Sequence, residues 1–461
     1  MPAVELLSML RRGQISPLEL AAEYIQQIER LNPQLHALVD FDADRVRAQA
    51  RALENSSSSR GPLFGLPMTI KSSIATAGYR CETGSLLHRG YVPHENATVV
   101  DRAKRAGAVV LGTTNCPEFL MAYESDNRLY GRTANPWDVE RSAGGSSGGE
   151  SAAIAAGLSA GGLGSDSGGS VREPAHFTGI CSLKPTPGRI PARGHLGSCD
   201  GPFAILGAVG PMARTIRDVT LLFITLSGQD ARDPVSPPIG LRNESLENLK
   251  RVPIGFFEED GPVTQETRQA VRDAARALEG RGFHVRPFKP EALEEARQLW
   301  WKFFVRGGAM LLDPLVRGRH AELSPIFLDF LAIAHREPPL SAEELLSAWM
   351  DCDHVRRKLL AEMESFPILL CPVCAIPAFG HGERSWDVDG QRLEYLDAMR
   401  YTQWFNLLGA PAAVVPVGRS PEGLPIGVQI AGRPFEDERV LGIAAAVEAG
   451  FGYKPPPLTI G

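Results

Sequence analysis

The chain has 461 residues, 43% of them hydrophobic, enough to bury a large core. A net charge of −6 with 22% charged residues excludes a global attraction to phosphate backbones or anionic membranes, and no nucleic-acid partner is expected. No apolar run reaches the ~18 residues of a membrane span, and the start, Met1 to Leu10 before Arg11 and Arg12, lacks the basic region and apolar core of a signal peptide.

The seven cysteines are odd in number and scattered, which suits reduced thiols in a cytoplasmic setting. Only Cys371 and Cys374 have metal or redox spacing. With no second pair beside them they read as small buried residues on a strand, and neither a metal nor a cofactor is expected.

Ser16-Pro17-Leu18-Glu19 predicts a helix start, with Ser16 as cap and Glu19 closing a capping box. Leu20, Tyr24, Ile28 and Leu31 then share one helical face. Ser56 to Ser59 reads as a surface loop. Leu66 to Ile70 predicts a buried strand, Ala97 to Ala106 a helix and Ala108 to Gly112 a second strand. Another such unit runs from a strand at Pro253 to Phe257, through a helix at Gln265 to Gly280 capped by Thr264, to a strand near Phe283 to Val285. Residues 291–366 read as mainly helical, with Ser341 and Glu344 opening the clearest helix, and a last strand pair is expected at Ile368 to Val373 and Ala412 to Val417. The alternation of strands and helices predicts an α/β fold: a single large domain with a central mixed, mostly parallel twisted sheet covered by helices on both faces.

Two Gly/Ser clusters, Gly144 to Glu150 and Gly164 to Ser170, flank an Ala/Ile/Leu-rich stretch, Ser151 to Leu163, that reads as a packed helix entering a strand. That context argues against a flexible linker. Neither cluster ends in the Lys-Ser or Lys-Thr of a phosphate-binding loop, and Gly162, Gly164 and Gly168 miss the dinucleotide spacing by one residue. Acyl transfer fits better, because successive N–H groups of a Gly-rich turn form a concave donor site for a developing oxyanion, with the Ser170 hydroxyl beside it. A serine still needs a base. Gly145 to Gly149 formally matches the G-x-S-x-G elbow of His-dependent hydrolases, but a five-residue match in a Gly/Ser-rich stretch carries little weight.

The run from Arg141 to Arg189 resembles the amidase signature: Gly-Gly-Ser-Ser-Gly-Gly at 144–149, then Gly-x-Asp-x-Gly-Gly-Ser-x-Arg-x-Pro at 164–174. Gly65 to Lys71, Gly210 to Arg214, Asn406 to Pro416 and Gly423 to Gln429 also match family segments, in the family's order. The resemblance spans nearly the whole chain and is weakest between about Gly228 and Phe366. It implies one amidase-signature domain over 1–461, with a catalytic core at 60–220 and a divergent helical region at 291–366 bordering the substrate entrance.

It further implies Ser170 as nucleophile, Ser146, preceded by a cis peptide, as relay, and Lys71 as terminal base. The N–H groups of Ser167, Gly168, Gly169 and Ser170 would form the oxyanion hole. Gly145, Ser147, Asp166 and Arg172 would support the loops, and Leu120, Met121 and Tyr123 would wall the substrate pocket beneath a loop at Ile190 to Leu206. Trp300, Trp301, Phe303 and Phe304 are either core or the mouth of an acyl or aryl channel. Burial at the end of an apolar run would favour the neutral amine of Lys71. One departure is that the family often has Lys-Asp-Asn where this chain has Lys71-Ser72-Ser73.

The expected reaction is hydrolysis of a small-molecule amide, with esters and carbamates open to the same acyl-enzyme chemistry, by a monomer or homodimer. Two rivals follow from the same resemblance. An amidotransferase A-type subunit would act in a complex on charged tRNA, but usually carries Ser-Ser-Leu-Asp-Gln before the Gly-Pro that here ends Gly201 to Pro211. A catalytically inactive scaffold would not need Lys71, Ser146 and Ser170 together.

Overall fold

The computed structural model describes residues 1–56, 60–197 and 204–457. Cys199, Gly201, most of the Ser56 to Ser59 run and the middle of the Ile190 to Leu206 loop lie outside the described residues.

The apolar runs assemble into one eleven-stranded sheet. In chain order its strands are β1 (Leu38–Phe41), β2 (Pro67–Lys71), β3 (Val109–Thr114), β4 (Gly161–Asp166), β5 (Cys181–Lys184) and β6 (Ala208–Ala213), followed by β7 (Ile254–Phe256), β8 (Val285–Pro287), β9 (Ile368–Pro372), β10 (Ala412–Arg419) and β11 (Pro425–Gly432). Across the sheet they lie in the order β1-β3-β2-β4-β6-β5-β10-β11-β9-β7-β8. The sheet is mixed, as expected, but most of its pairings are antiparallel rather than parallel. Parallel pairing joins only β3-β2-β4 near one edge and β9-β7-β8 at the other. The central strands β4, β6, β5, β10, β11 and β9 pair antiparallel. Strand–helix alternation favours parallel pairing, but the tight return after Arg419 can join β10 to β11 only in antiparallel sense.

Alternate residues feed opposite faces. Ile368 and Leu370 enter one core cluster while Leu369 and Cys371 enter another, so both faces are covered. The helices that bear on the site are α1 (Pro17–Leu35), α2 (Gly148–Ala155), α3 (Arg172–Thr178), α4 (Gln265–Glu279), α5 (Leu293–Trp300), α6 (Gly307–Val316), α7 (Pro325–Ala334), α8 (Ala342–Glu362) and α9 (Arg400–Leu408). Capping boxes open α1 at Ser16 and α8 at Ser341. Thr264 precedes α4, but its hydroxyl pairs with Thr267 Oγ1 at 2.9 Å instead of capping an N–H. Gly280 is the C-cap residue of α4, and Gly282, with φ +86°, makes the left-handed turn that follows. The following strand begins at Val285, two residues later than expected.

Residues 293–362 are helical almost throughout, with a π-helical turn at Trp301–Arg306 between α5 and α6. Their apolar side chains share a core cluster with Phe119, Met121 and Tyr123. This packing sets the helical region beside the turn that follows β4.

Candidate active site

β2 and β4 are parallel neighbours, so their C-terminal ends open on the same edge of the sheet, where irregular loops can converge. β2 ends at Lys71 and β4 runs into Ser167–Ser170 before α3. The Gly145–Ser146 peptide is cis and leads directly into α2. These three segments meet. Lys71, with no solvent exposure, donates from Nζ to Ser146 Oγ at 2.6 Å and to Ser165 Oγ at 3.1 Å. Ser146, Ser165, Ser167 and Ser170 line one small cavity with Leu120, Met121 and Phe304. No hydrogen bond joins the Ser146 and Ser170 hydroxyls among the described residues, although the Ser147 N–H donates to the Ser170 carbonyl at 3.1 Å.

Asp166 organises the turn. Its carboxylate accepts from the N–H groups of Gly169 at 2.8 Å and Val171 at 3.1 Å, and from Arg172 Nε and Nη2, both at 3.0 Å. Of the four expected donors, the Gly169 N–H thus already has an acceptor in Asp166. The N–H groups of Ser167, Gly168 and Ser170 donate to no acceptor among the described residues. Burial pushes the Asp166 carboxyl up, but the Arg172 guanidinium, with Lys184 and the Asn406 amide, outweighs it and holds the group well below the usual carboxylate range.

The expected wall residues Leu120, Met121 and Tyr123 line an apolar cavity above Ser170, together with Trp300, Phe304 and Phe330. Leu120 holds φ +67°, an unusual backbone conformation for a bulky side chain. Of the aromatic cluster, Trp300 and Phe304 stack and face this cavity, Phe303 packs on Trp349, and Trp301 faces a second cavity outside.

The amidase family model matches residues 19–441. This chain belongs to the amidase family. Among curated proteins it is 32% identical to an indoleacetamide hydrolase of Bradyrhizobium diazoefficiens, over 97% of this chain and 86% of that protein. It is 34% identical to the A-type subunit of a glutamyl-tRNA(Gln) amidotransferase from Roseiflexus sp., over 95% of this chain and 94% of that protein. Among solved structures, a bacterial aryl acylamidase of the amidase signature enzymes superposes with a TM-score of 0.86 at 26% identity, covering 97% of this chain and 96% of that one. The chain is an amidase-signature hydrolase of C–N bonds. No helix among its described residues is long and apolar enough to cross a membrane.

Several supports of this amidase site have no counterpart in the sequence motifs. Trp300 Nε1 donates to the Ser167 carbonyl at 2.8 Å, and the Tyr123 and Thr402 hydroxyls donate to the Gly168 carbonyl at 2.8 and 2.5 Å. Asn406, which lies in a family segment, donates to Asp166 at 2.9 Å. Gly145 N–H donates to the buried Glu173 carboxyl at 3.0 Å. Around Lys71, Ser72 turns to Cys116 Sγ at 3.3 Å and Ser73 to His195 Nε2 at 3.2 Å. The carboxyl nearby is instead Glu150, buried beside β2 and bonded by the Thr69 and Thr114 hydroxyls. Burial raises its pKa to about 8. Burial pushes His195 down to about 3 and His176 to about 4. The His176 ring is fully engaged, with Nδ1 accepting from the Gly427 N–H at 2.9 Å and Nε2 facing the Ile376 carbonyl at 3.1 Å.

Proposed function

We propose that Ser170 is the nucleophile of a hydrolase acting on small carboxamides whose acyl portion is apolar or aromatic. The observation that carries this reading is the 2.6 Å contact of Lys71 Nζ with Ser146 Oγ, on the floor of the cavity that Ser170 shares. With the amine neutral the contact reverses. Ser170 gives its proton to Ser146, Ser146 gives its own to Lys71, and the Ser170 Oγ–carbon bond forms. The oxyanion takes hydrogen bonds from the N–H groups of Ser167, Gly168 and Ser170. The relay then returns the proton to the leaving nitrogen as the C–N bond breaks, and water releases the acid by the same steps. Esters and carbamates present a carbonyl to the same machinery.

The aromatic lining supports an aromatic or long apolar acyl group, as in the amide for which the Bradyrhizobium relative is named. Six unpaired, buried cysteines among the described residues support a reducing, cytoplasmic setting, and the reading carries a monomer or homodimer. The test is a panel of p-nitroanilides, esters and carbamates, with fluorophosphonate labelling. Ser170→Ala should abolish both hydrolysis and labelling. Loss of activity on replacing a single histidine, with the fold intact, would overturn the assignment. The similarity to the Roseiflexus protein supports a second reading, a component of an amidotransferase. Hydrolysis by the purified chain running alone on gel filtration excludes an obligate complex.

A further inference from the structure

The apolar cavity above Ser170 shares a wall with a larger outer cavity: Asp329, Ile333, Arg384, Tyr395 and Leu396 line both. The outer cavity lies between the π-helical turn, α7 and the segment Glu394 to Asp397. Its acids are all engaged. Asp397 pairs with Arg297, and Glu337 with Arg306 Nη1 at 3.0 Å. Asp329 lies 3.4 Å from Arg384, whose closer partner is Glu124 at 2.7 Å. Glu394 is held by Arg392 at 2.6 Å.

The cations are not all engaged. Lys302 and Arg336 line the same cavity, and neither forms an ion pair among the described residues. Arg306, whose side chain is 8% exposed, keeps Nε buried without an acceptor. Glu344, the acid that senses Lys302 and Arg306, lies outside the cavity wall and is bonded to the Ser341 N–H at 2.7 Å. A concave site with surplus positive charge concentrates anions. Here it adjoins the apolar cavity that reaches Ser170.

We propose that the outer cavity binds a carboxylate at the far end of the substrate's acyl portion, with the apolar segment between carboxylate and scissile carbonyl filling the inner cavity. The inference rests on Ser170 attacking that carbonyl. Lys302 and Arg336 supply the charge, and a guanidinium matches a carboxylate in shape as well.

The experiment compares acyl p-nitroanilides of six to ten carbons ending in a carboxylate with neutral analogues ending in an isopropyl group. In the wild type the ratio of kcat/KM, acid over neutral, should be about ten at low salt and fall as salt screens the site. In the Lys302→Met/Arg336→Leu double variant the ratio should collapse toward one. A ratio near one in the wild type, or a tenfold ratio that survives both substitutions, overturns the proposal. Calorimetric titration of the Ser170→Ala protein with the same acid and neutral compounds reads binding without turnover. Tighter binding of the acid that disappears with Lys302 and Arg336 supports the inference even if no compound is hydrolysed, an outcome that would sink the Ser170 assignment alone. Hydrolysis with no charge preference removes only the carboxylate site.

Discussion

Trp300 Nε1 donates to the Ser167 carbonyl at 2.8 Å, so a helix 133 residues downstream fixes the turn that carries Ser170. The same indole stacks on Phe304 at 4.8 Å between ring centroids and walls the apolar cavity. The helical region thus holds the loop and shapes the space above it. A Cβ at Gly168 would lie 2.6 Å from Trp300 Cζ2, which explains why the turn needs glycine at that position.

Trp300→Phe should separate these roles, since it keeps a ring in the cavity but removes the donor to Ser167. A neutral hydrogen bond is worth about 1 kcal/mol, so kcat should fall roughly fivefold as the turn loosens. KM should move less than kcat, because the apolar wall persists. Steady-state kinetics on one p-nitroanilide checks this, and an unchanged kcat would mean that the turn holds itself.

Arg172 and Asp166 form an ion pair with neither side chain exposed. Arg172 also donates to the Thr402 carbonyl at 3.0 Å and Gln429 Oε1 at 3.1 Å, which ties the turn to α9 and β11. Arg172→Met leaves a buried carboxylate without its partner and should cost about 3–5 kcal/mol in urea unfolding at pH 7. Because the folded Asp166 pKa is depressed, its contribution is present above the unfolded value of about 3.9 and is lost as pH falls further. The variant should therefore lose less stability than the wild type when acidified below pH 4.

The motif residues were legible because short sequence spacing and sheet topology impose the same juxtaposition. Lys71 and Asp166 end adjacent parallel strands, and Ser146 and Ser170 each lie within a few residues of a glycine the turn requires. Trp300, Tyr123 and Thr402 were not legible as loop supports, since each acts through one side chain on a backbone carbonyl far away in sequence. The Gly169 amide shows the same limit: a Gly-rich turn offers several donors, and only the placement of Asp166 reveals which one it engages. Strand sense in the middle of the sheet depended on how β5, β6, β10 and β11 connect, which apolar runs alone do not encode. Glu150 lay inside the signature run, yet its burial beside β2 needed Thr69 and Thr114 folded around it.

Glu150 gives the clearest pH signature. Its carboxyl is fully buried and raised to about 8 by desolvation, which the Thr69 and Thr114 hydroxyls and the charge of Lys71 only partly oppose. The unfolded chain ionises this group near pH 4.3, whereas the folded chain holds its proton. Its contribution to stability is therefore complete below that value and is lost as pH rises through about 8. Glu150→Gln cannot ionise and still offers an acceptor to one threonine and a donor to the other. The difference in Tm, variant minus wild type, should therefore increase as pH is raised from 4 to 8 and level off above it. Calorimetric melts at half-unit pH intervals measure this directly. A flat difference across that range would mean that Glu150 is already ionised in the fold, with Lys71 beside it carrying the balancing charge.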